Sequence, residues 1–100
     1  MKFGIEFTQT AASHIRAFRK SKQNIVLDAI EKQLAYEPTY KTRNRKHLGG
    51  NELADWELRV RKYRIFYDVI CEENIKMVKV KAVGLKEHNI LYIGGKEIKL

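Results

Sequence analysis

The stretch Trp-Glu-Leu-Arg-Val-Arg-Lys-Tyr-Arg-Ile-Phe-Tyr-Asp-Val, residues 56–69, decides the fold because apolar and polar residues alternate through it in two runs. Such alternation predicts two β-strands that each bury one face. A turn centred on Arg61-Lys62 pairs the two runs so that Leu58 faces Ile65. The stretch therefore predicts an antiparallel hairpin with one apolar face for a helical layer to cover.

The opposite face of this hairpin carries like charges. The same register places Arg59 directly across from Arg64, and such a pair is destabilising by a few tenths to about 1 kcal/mol. The next predicted strand adds Lys79 and Lys81 to this face, with Phe66 among the cations. Cations around an exposed aromatic ring suit phosphate groups and a stacked base. The alternative is that Lys and Arg only solvate the exposed face of a two-layer domain.

Local patterns predict the other elements. Thr8 and Ser21 are the expected N-caps of two helices, and Val78, Val80 and Ala82 are expected to share the apolar face of their strand. The predicted elements are a strand at 2–7, helices at 9–20 and 22–36, a basic loop at 39–54, strands at 55–60, 63–71 and 75–84, and a C-terminal hairpin that turns at Gly94-Gly95. This order predicts an α+β fold with the helices on one face of a mostly antiparallel sheet. We expect a single domain over residues 1–100.

The net charge narrows the kind of partner. Twenty Lys and Arg against twelve Asp and Glu give a formal charge of +8 in 100 residues. Such an excess favours a polyanionic partner, although a soluble protein can also be basic without one. Arg45 and Lys46, in the predicted basic loop, are candidate contacts to such a partner.

Other features exclude some classes of protein. Cys71 is the only cysteine, which rules out an internal disulfide, and His14, His47 and His88 are far apart in sequence. We therefore expect no metal and no cofactor. No apolar run approaches the roughly 20 residues that span a bilayer, and the first residues lack the pattern of a secretory signal. A cytoplasmic protein that does not enter a membrane is expected.

Several segments together resemble a known family. They are Lys-His-Leu (46–48), Trp-Glu-Leu-Arg-Val (56–60), Tyr-Arg-Ile-Phe-Tyr-Asp-Val (63–69) and Val-Lys-Ala-Val-Gly-Leu-Lys-Glu-His-Asn (80–89). With the element order and length, they resemble the RelE/ParE superfamily of toxins from bacterial toxin–antitoxin modules. The resemblance covers nearly the whole chain and implies a two-layer RelE-like fold. The superfamily includes both ribosome-dependent messenger-RNA endonucleases and gyrase inhibitors.

For the nuclease branch, the resemblance implies that a ribose 2′-hydroxyl attacks the adjacent phosphate without a metal. Arg64 matches the arginine that holds the scissile phosphate, and Tyr92 matches a tyrosine that positions or stacks the substrate. Arg59 stands where RelE-like members have a catalytic lysine, and Lys86 stands where they have an arginine. Arg61, Lys62, Lys79, Lys81, Arg45, Lys46 and Phe66 are the further candidate RNA contacts.

One departure from the family pattern affects the proton transfers. Glu57 stands where the best-known branch has a lysine. Arg59 stays protonated and is therefore a poor general base, which leaves Glu57 or His88 as the candidate base or acid. His88 has the alternative role of a loop histidine that makes an ordinary hydrogen bond.

The function implied by the resemblance is that of a ribosome-dependent messenger-RNA endoribonuclease. A cognate antitoxin, expected to be acidic because the chain is basic, would hold it inactive in a hetero-oligomer. Two alternatives stay open. One is a gyrase inhibitor that does not cut nucleic acid, and the other is a family member that has lost catalysis but still binds RNA and antitoxin.

Overall fold

The structure is a computed structural model that describes residues 2–49 and 51–99, so Met1, Gly50 and Leu100 lie outside the described residues. In chain order, the elements are β1 (Gly4–Phe7), α1 (Gln9–Arg16), α2 (Lys20–Leu34), β2 (Arg45–His47), β3 (Trp56–Val60), β4 (Tyr63–Glu72), β5 (Ile75–Glu87), β6 (Ile90–Ile93) and β7 (Lys96–Ile98). A strand, two helices and then a run of strands confirm the predicted α+β class.

The strands belong to one sheet, in the order β2-β3-β4-β5-β6-β7. β1 lies parallel to the first half of β5 and pairs Gly4–Phe7 with Met77–Val80. The other pairings are antiparallel, as predicted. β5 is 13 residues long, so its first half contacts β1 while its second half contacts β6.

The central hairpin has the predicted register. Leu58 lies opposite Ile65, and Arg59 lies opposite Arg64. Arg61 in the turn has a φ of 55°, a left-handed conformation typical of tight hairpin turns. The register follows from the alternation itself, because a shift by one residue would expose every apolar side chain of the hairpin.

α1 begins at Gln9 as predicted, but its end and both ends of α2 differ from the prediction. Thr8 is the N-cap of α1 as expected, and its Oγ1 accepts a hydrogen bond from the Ala11 N–H at 3.0 Å. α1 ends at Arg16 rather than residue 20, and α2 begins at Lys20, with Arg19 as its N-cap. The Arg19 carbonyl accepts from the amides of both Lys22 and Gln23, which starts the helix before Ser21. The prediction of Ser21 as the N-cap was therefore wrong.

The main core lies between the helices and one face of the sheet. Val26, Ile30 and Leu34 of α2 are buried at helical spacing against buried strand residues such as Leu58 and Ile65. Burying one such side chain contributes about 1.5–3 kcal/mol. This layer covers the apolar face that the hairpin alternation predicts.

A β-bulge in β5 changes which residues share a face. Phe66 pairs with Ala82, but its neighbour Tyr67 pairs with Val80, so Lys81 has no partner in β4. Beyond Lys81, Val83 joins the main core and Ala82 packs on the opposite face. The expected grouping of Ala82 with Val78 and Val80 was therefore wrong. Thr8 holds the bulge, because its N–H donates to the Val80 carbonyl and its hydroxyl donates to the Lys81 carbonyl.

The face opposite the helices is partly covered by a second, smaller core. Phe66 is completely buried there with Ala54, Ala82 and Ile93. The C-terminal hairpin, β6 and β7 around Gly94-Gly95, forms as predicted and folds over this face, where Leu91 and Ile98 pack on the small core. The prediction that Phe66 is an exposed platform for a base was therefore wrong. What stays open on this face is a cleft beside the hairpin.

Candidate nucleic-acid interface

The cleft has a volume of about 780 Å³ and lies on the helix-free face. Its floor comes from β3, β4 and β5, and its sides come from Lys46, Leu48, Gly49 and Asn51 and from the C-terminal hairpin. Among the described lining residues, five carry positive charge and two are carboxylates: Lys46, Arg59, Arg64, Lys86 and Lys99 against Glu57 and Glu97. Such a surface attracts anions, and its concave shape would strengthen the field that a ligand meets.

Two arginines and one carboxylate form the floor of the cleft. Arg59 and Arg64 are cross-strand partners, and Glu57 lies two residues before Arg59 on the same face of β3. Glu57 Oε1 lies 3.4 Å from Arg64 Nε and 3.8 Å from Arg59 Nε. This carboxylate offsets the repulsion between the two arginines. The side chains of Glu57 and Arg64 are only 10% and 13% exposed, so little solvent screens the ion pair between them.

Arg64 is held in place by several contacts. Its Nη1 donates to the carbonyl oxygens of Arg61, at 2.8 Å, and Tyr63, at 2.9 Å, while Nε faces Glu57. Partial burial lowers the pKa of Arg64, Glu57 raises it, and Arg59 lowers it. An arginine side chain stays protonated in proteins despite such shifts. Arg64 is thus a fixed cation, whereas the Arg59 side chain is 42% exposed and freer to meet a ligand.

Two lysines flank the arginine pair. Lys46 on β2 lies directly across from Glu57 on β3, on the same face of the sheet. Lys86 lies two residues beyond Gly84, the cross-strand partner of Arg64. β5 extends to Glu87 rather than ending at the predicted residue 84, so Lys86 is a strand residue with a fixed direction. Its N–H donates to the Lys62 carbonyl at 2.7 Å.

The structure removes Arg45 from the set of candidate RNA contacts. The segment around it is a short strand, β2, where the sequence predicted a loop. Arg45 pairs with Leu58 and is 9% exposed, and its Nη1 donates to the Gln33 carbonyl at the end of α2. Its Nε is buried and has no hydrogen-bond partner among the described residues. Arg45 therefore faces the helices, and its assignment to RNA was wrong.

Lys79 and Lys81 lie outside the cleft. Each faces a carboxylate: Lys79 Nζ lies 4.0 Å from Glu6 Oε1, and Lys81 Nζ lies 3.2 Å from Asp68 Oδ2. The bulge at Lys81 also breaks the row that these lysines were predicted to form with the arginines. The single continuous patch predicted from the alternation is therefore not present in the described part of the chain.

Tyr92 lies on the helix side of the sheet. It pairs with Leu85, which packs on the main core, and it lines a separate cleft of about 470 Å³ beside α1. His14 also lines this second cleft, and its Nδ1 accepts a hydrogen bond from the Val83 N–H at 3.2 Å. Burial lowers the pKa of His14. The structure thus separates Tyr92 from Arg59 and Arg64, contrary to the expectation that these residues share one site.

The remaining predicted residues occupy two turns. Arg61 and Lys62 form the exposed β3–β4 turn, where Lys62 Nζ lies 3.3 Å from Glu87 Oε1. His88 and Asn89 have left-handed φ values of 52° and 66° and join β5 to β6. His88 is exposed and does not line the cleft, whereas Asn89 does. Of the two candidate groups for proton transfer, only Glu57 lies at the arginine pair.

Some lining residues were not predicted from the sequence. Asn51, Asn89, Glu97 and Lys99 reach the cleft because the loop after β2 and the C-terminal hairpin form its sides. Leu91 and Ile98 could have indicated this placement, because two apolar residues of a hairpin need an apolar surface to pack on. Phe66, on the otherwise polar face of the sheet, provides that surface.

The described part of the chain contains neither a cluster of metal ligands nor a helix that could span a membrane. In residues 2–49 and 51–99, no three His, Cys, Asp or Glu side chains are grouped as the ligands of a metal ion would be. Within the same residues, no helix has the length and apolar character needed to cross a bilayer.

The comparison with solved structures identifies the fold. The chain matches a chain of the toxin–antitoxin complex RelBE2 from Mycobacterium tuberculosis, with a TM-score of 0.66 over 86% of this chain and 100% of the other. The two sequences are 22% identical. No model of a protein family and no curated protein matched the sequence. The chain therefore has the RelE-like α+β fold that the sequence resemblance predicts.

Proposed function

We propose that this chain is the toxin of a type II toxin–antitoxin pair and cleaves messenger RNA on the ribosome. The observation that carries the proposal is the Arg59–Arg64 pair on the floor of the cleft, bridged by Glu57 and flanked by Lys46 and Lys86. The fold shared with a chain of a toxin–antitoxin complex supports the toxin role. Because the substrate is translated RNA, we place the protein in the cytoplasm.

In the proposed reaction, the ribose 2′-oxygen attacks the adjacent phosphorus and the bond from phosphorus to the 5′-oxygen breaks. The products are a 2′,3′-cyclic phosphate and a 5′-hydroxyl. Glu57 takes the proton of the 2′-hydroxyl, and the Lys86 ammonium donates a proton to the leaving 5′-oxygen. Solvent then restores both groups. Arg59 and Arg64 stabilise the negative charge that develops on the phosphate oxygens.

The assignment of Glu57 as the base rests on position. Arginine cannot accept a proton near neutral pH, and His88 lies outside the cleft. Glu57 is a carboxylate with both arginines within 4 Å of Oε1. A phosphate that binds Arg59 and Arg64 would therefore lie beside this carboxylate.

The test is to induce the chain without its antitoxin and to map the ends of messenger RNA with and without added ribosomes. Breaks that are phased with codons and need ribosomes support the proposal. The Arg64→Ala variant should lose cleavage, while Arg16→Ala, which removes an exposed arginine of α1, should keep it. Arrested growth with intact RNA and broken chromosomes would instead identify gyrase as the target.

The proposed partner is an acidic antitoxin that forms a hetero-oligomer with this chain. The net charge of +8 and the cationic cleft favour a segment rich in Asp and Glu. An antitoxin carboxylate could occupy the place of the phosphate between the cations, which would block RNA directly.

A second candidate function is binding of RNA and antitoxin without cleavage. The pairing of Glu57 with two arginines favours it, because Oε1, the oxygen that would have to take the proton, already faces both cations. The two functions differ in one result. A binding-only protein would protect ribosome-bound RNA in footprints but would leave it uncut.

A further inference from the structure

Four cations of the cleft follow a diagonal line across the sheet. Lys46 is the diagonal neighbour of Arg59, because its direct partner on β3 is Glu57, two residues earlier. Arg59 lies directly across from Arg64, and Lys86 is in turn the diagonal neighbour of Arg64. Diagonal neighbours in an antiparallel sheet lie about 7–8 Å apart at Cα, and direct partners lie about 5 Å apart. The line therefore has the arginine pair at its centre and one lysine at each end.

The two ends of this line differ in one respect. Glu57 lies at the Lys46 end, directly across the strand pair from Lys46 and before Arg59 on β3. The other carboxylate of the described cleft lining, Glu97, belongs to β7 of the C-terminal hairpin and lies within 4.0 Å of neither arginine, whereas Glu57 pairs with both. The proton acceptor of the proposed reaction therefore lies on one side of the arginine pair, and Lys86 lies on the other.

This asymmetry gives the bound RNA a direction. In phosphoryl transfer the attacking and leaving oxygens lie roughly in line on opposite sides of phosphorus. The 2′-oxygen must approach Glu57, so the nucleotide that carries it lies toward β2. The leaving 5′-oxygen then points toward Lys86, and the downstream nucleotide lies along the C-terminal hairpin.

Lys46 is free to contact the upstream part of the strand. It is exposed and lies directly across from a carboxylate, yet no carboxylate of the described residues comes within 4.0 Å of its Nζ. Glu57 Oε1 is paired with the arginines instead. Lys46 thus presents an uncompensated ammonium group one diagonal step from the scissile phosphate.

We infer that Lys46 binds the phosphate immediately upstream of the cleaved linkage, so that RNA crosses the cleft with its 5′ side over β2 and its 3′ side over the C-terminal hairpin. This assignment rests on the proposed nuclease function, and it makes Lys46 a substrate-binding residue at a subsite of its own.

The experiment uses ribosome-bound messenger RNA that carries one uncharged methylphosphonate linkage, placed one step upstream or one step downstream of the cleavage position. With the wild-type protein, the upstream substitution should slow single-turnover cleavage about tenfold, and the downstream one much less. Lys46→Ala should slow the cleavage of unmodified RNA about as much as the upstream substitution slows the wild-type protein. On RNA that carries the upstream substitution, Lys46→Ala should cleave no more slowly than the wild-type protein does. Lys22→Ala, which removes an exposed lysine of α2, is the matched control and should behave as the wild type.

The outcomes separate this inference from the proposed function. If the wild-type protein cleaves unmodified RNA but the larger loss follows the downstream substitution, the direction assigned here is reversed. If Lys46→Ala and the upstream substitution combine multiplicatively, Lys46 does not bind that phosphate. If the wild-type protein cleaves no RNA with ribosomes present, the proposed function fails, and this inference with it.

Discussion

Glu57 and Arg64 form an ion pair across two strands, with Oε1 3.4 Å from Nε and both side chains largely buried. The pair explains how a hairpin tolerates two arginines directly opposite each other. It also means that the cleft contains an internal anion at the point where the proposed phosphate would bind. Ligand binding and protein stability are therefore coupled at this pair.

Glu57→Gln should destabilise the protein and increase its response to anions. The substitution leaves Arg64 without its carboxylate, so the free energy of unfolding should fall by about 1–3 kcal/mol. Added phosphate should then stabilise the variant more than the wild type, because an anion can bind the unpaired arginines of the folded state. Urea denaturation with and without phosphate measures both effects. Glu73→Gln, in the exposed β4–β5 turn, is the control. An equal effect of phosphate on variant and wild type would contradict the coupling.

Neighbouring residues of β2 should differ in their effect on RNA affinity. Single-stranded RNA binding weakens with salt at a slope of about 0.7 per neutralised phosphate, so the four cations of the diagonal line predict a slope of roughly −3. Lys46→Met should make the slope shallower by about 0.7. Arg45→Met should leave it unchanged, since Arg45 is buried toward the helices. Fluorescence titrations of a non-cleavable RNA at several salt concentrations provide the slopes. A slope near zero for the wild-type protein would remove the phosphate-binding role of the cleft.

His14 should make stability depend on pH. In the folded protein Nδ1 accepts the Val83 N–H and burial lowers the pKa of His14 from its ordinary value of 6.5. At acidic pH the unfolded state therefore binds more protons than the folded state. The contribution of His14 to the free energy of unfolding is complete above about pH 6.5 and is lost as the pH falls toward the lowered pKa of the folded state. Denaturation between pH 7.5 and pH 5 should show the decline. In His14→Asn the amide oxygen can replace Nδ1 as the acceptor. This variant should lose the part of the decline that protonation of His14 causes.

A control for His14 is available in the β5–β6 turn. His88 is exposed and has a left-handed φ, which asparagine adopts readily. His88→Asn should therefore keep the pH dependence of the wild type. If His14→Asn and the wild type lose stability in parallel as the pH falls, His14 does not cause the decline.

Gly84→Ala should damage the C-terminal hairpin. An added Cβ would clash with the Tyr92 carbonyl oxygen and would lie 2.8 Å from Ile93 Cγ1, so β6 would have to move. We expect a loss of about 1–3 kcal/mol in the free energy of unfolding. Gly4→Ala is the comparison, because its added Cβ would meet the flexible end of Met77 at 3.3 Å and should cost less. Comparable losses for the two variants would show that the hairpin accommodates the extra atom.

The parts of the fold that depend on local pattern were predictable from the sequence. The β3–β4 register, the Thr8 cap and the Gly94-Gly95 turn each follow from residues close together in the chain. The Arg59–Arg64 pair followed from the register, and with it the floor of the candidate site.

The errors concern features that depend on distant contacts. The bulge at Lys81 is held by Thr8, more than 70 residues earlier, which no local pattern shows. Phe66 was predicted to be exposed because the alternation places it on the polar face of the sheet. The C-terminal hairpin covers it there. Tyr92 was assigned to the cleft by resemblance, but pairing with Leu85 directs it to the helix side.

The bulge at Lys81 has a consequence for the whole cleft, because it shifts the odd–even order of β5. Before it, even-numbered residues such as Val78 and Val80 face the helices; after it, odd-numbered Val83 and Leu85 do. If β5 were regular and Lys81 took a place in the alternation, Leu85 would point into the cleft and Lys86 into the apolar core. Deletion of Lys81 would instead leave a regular strand with the same pairings on either side, so Leu85 and Lys86 would keep their faces. The arrangement of charge in this cleft thus depends on one residue being left out of the alternation, and that residue lies outside the cleft.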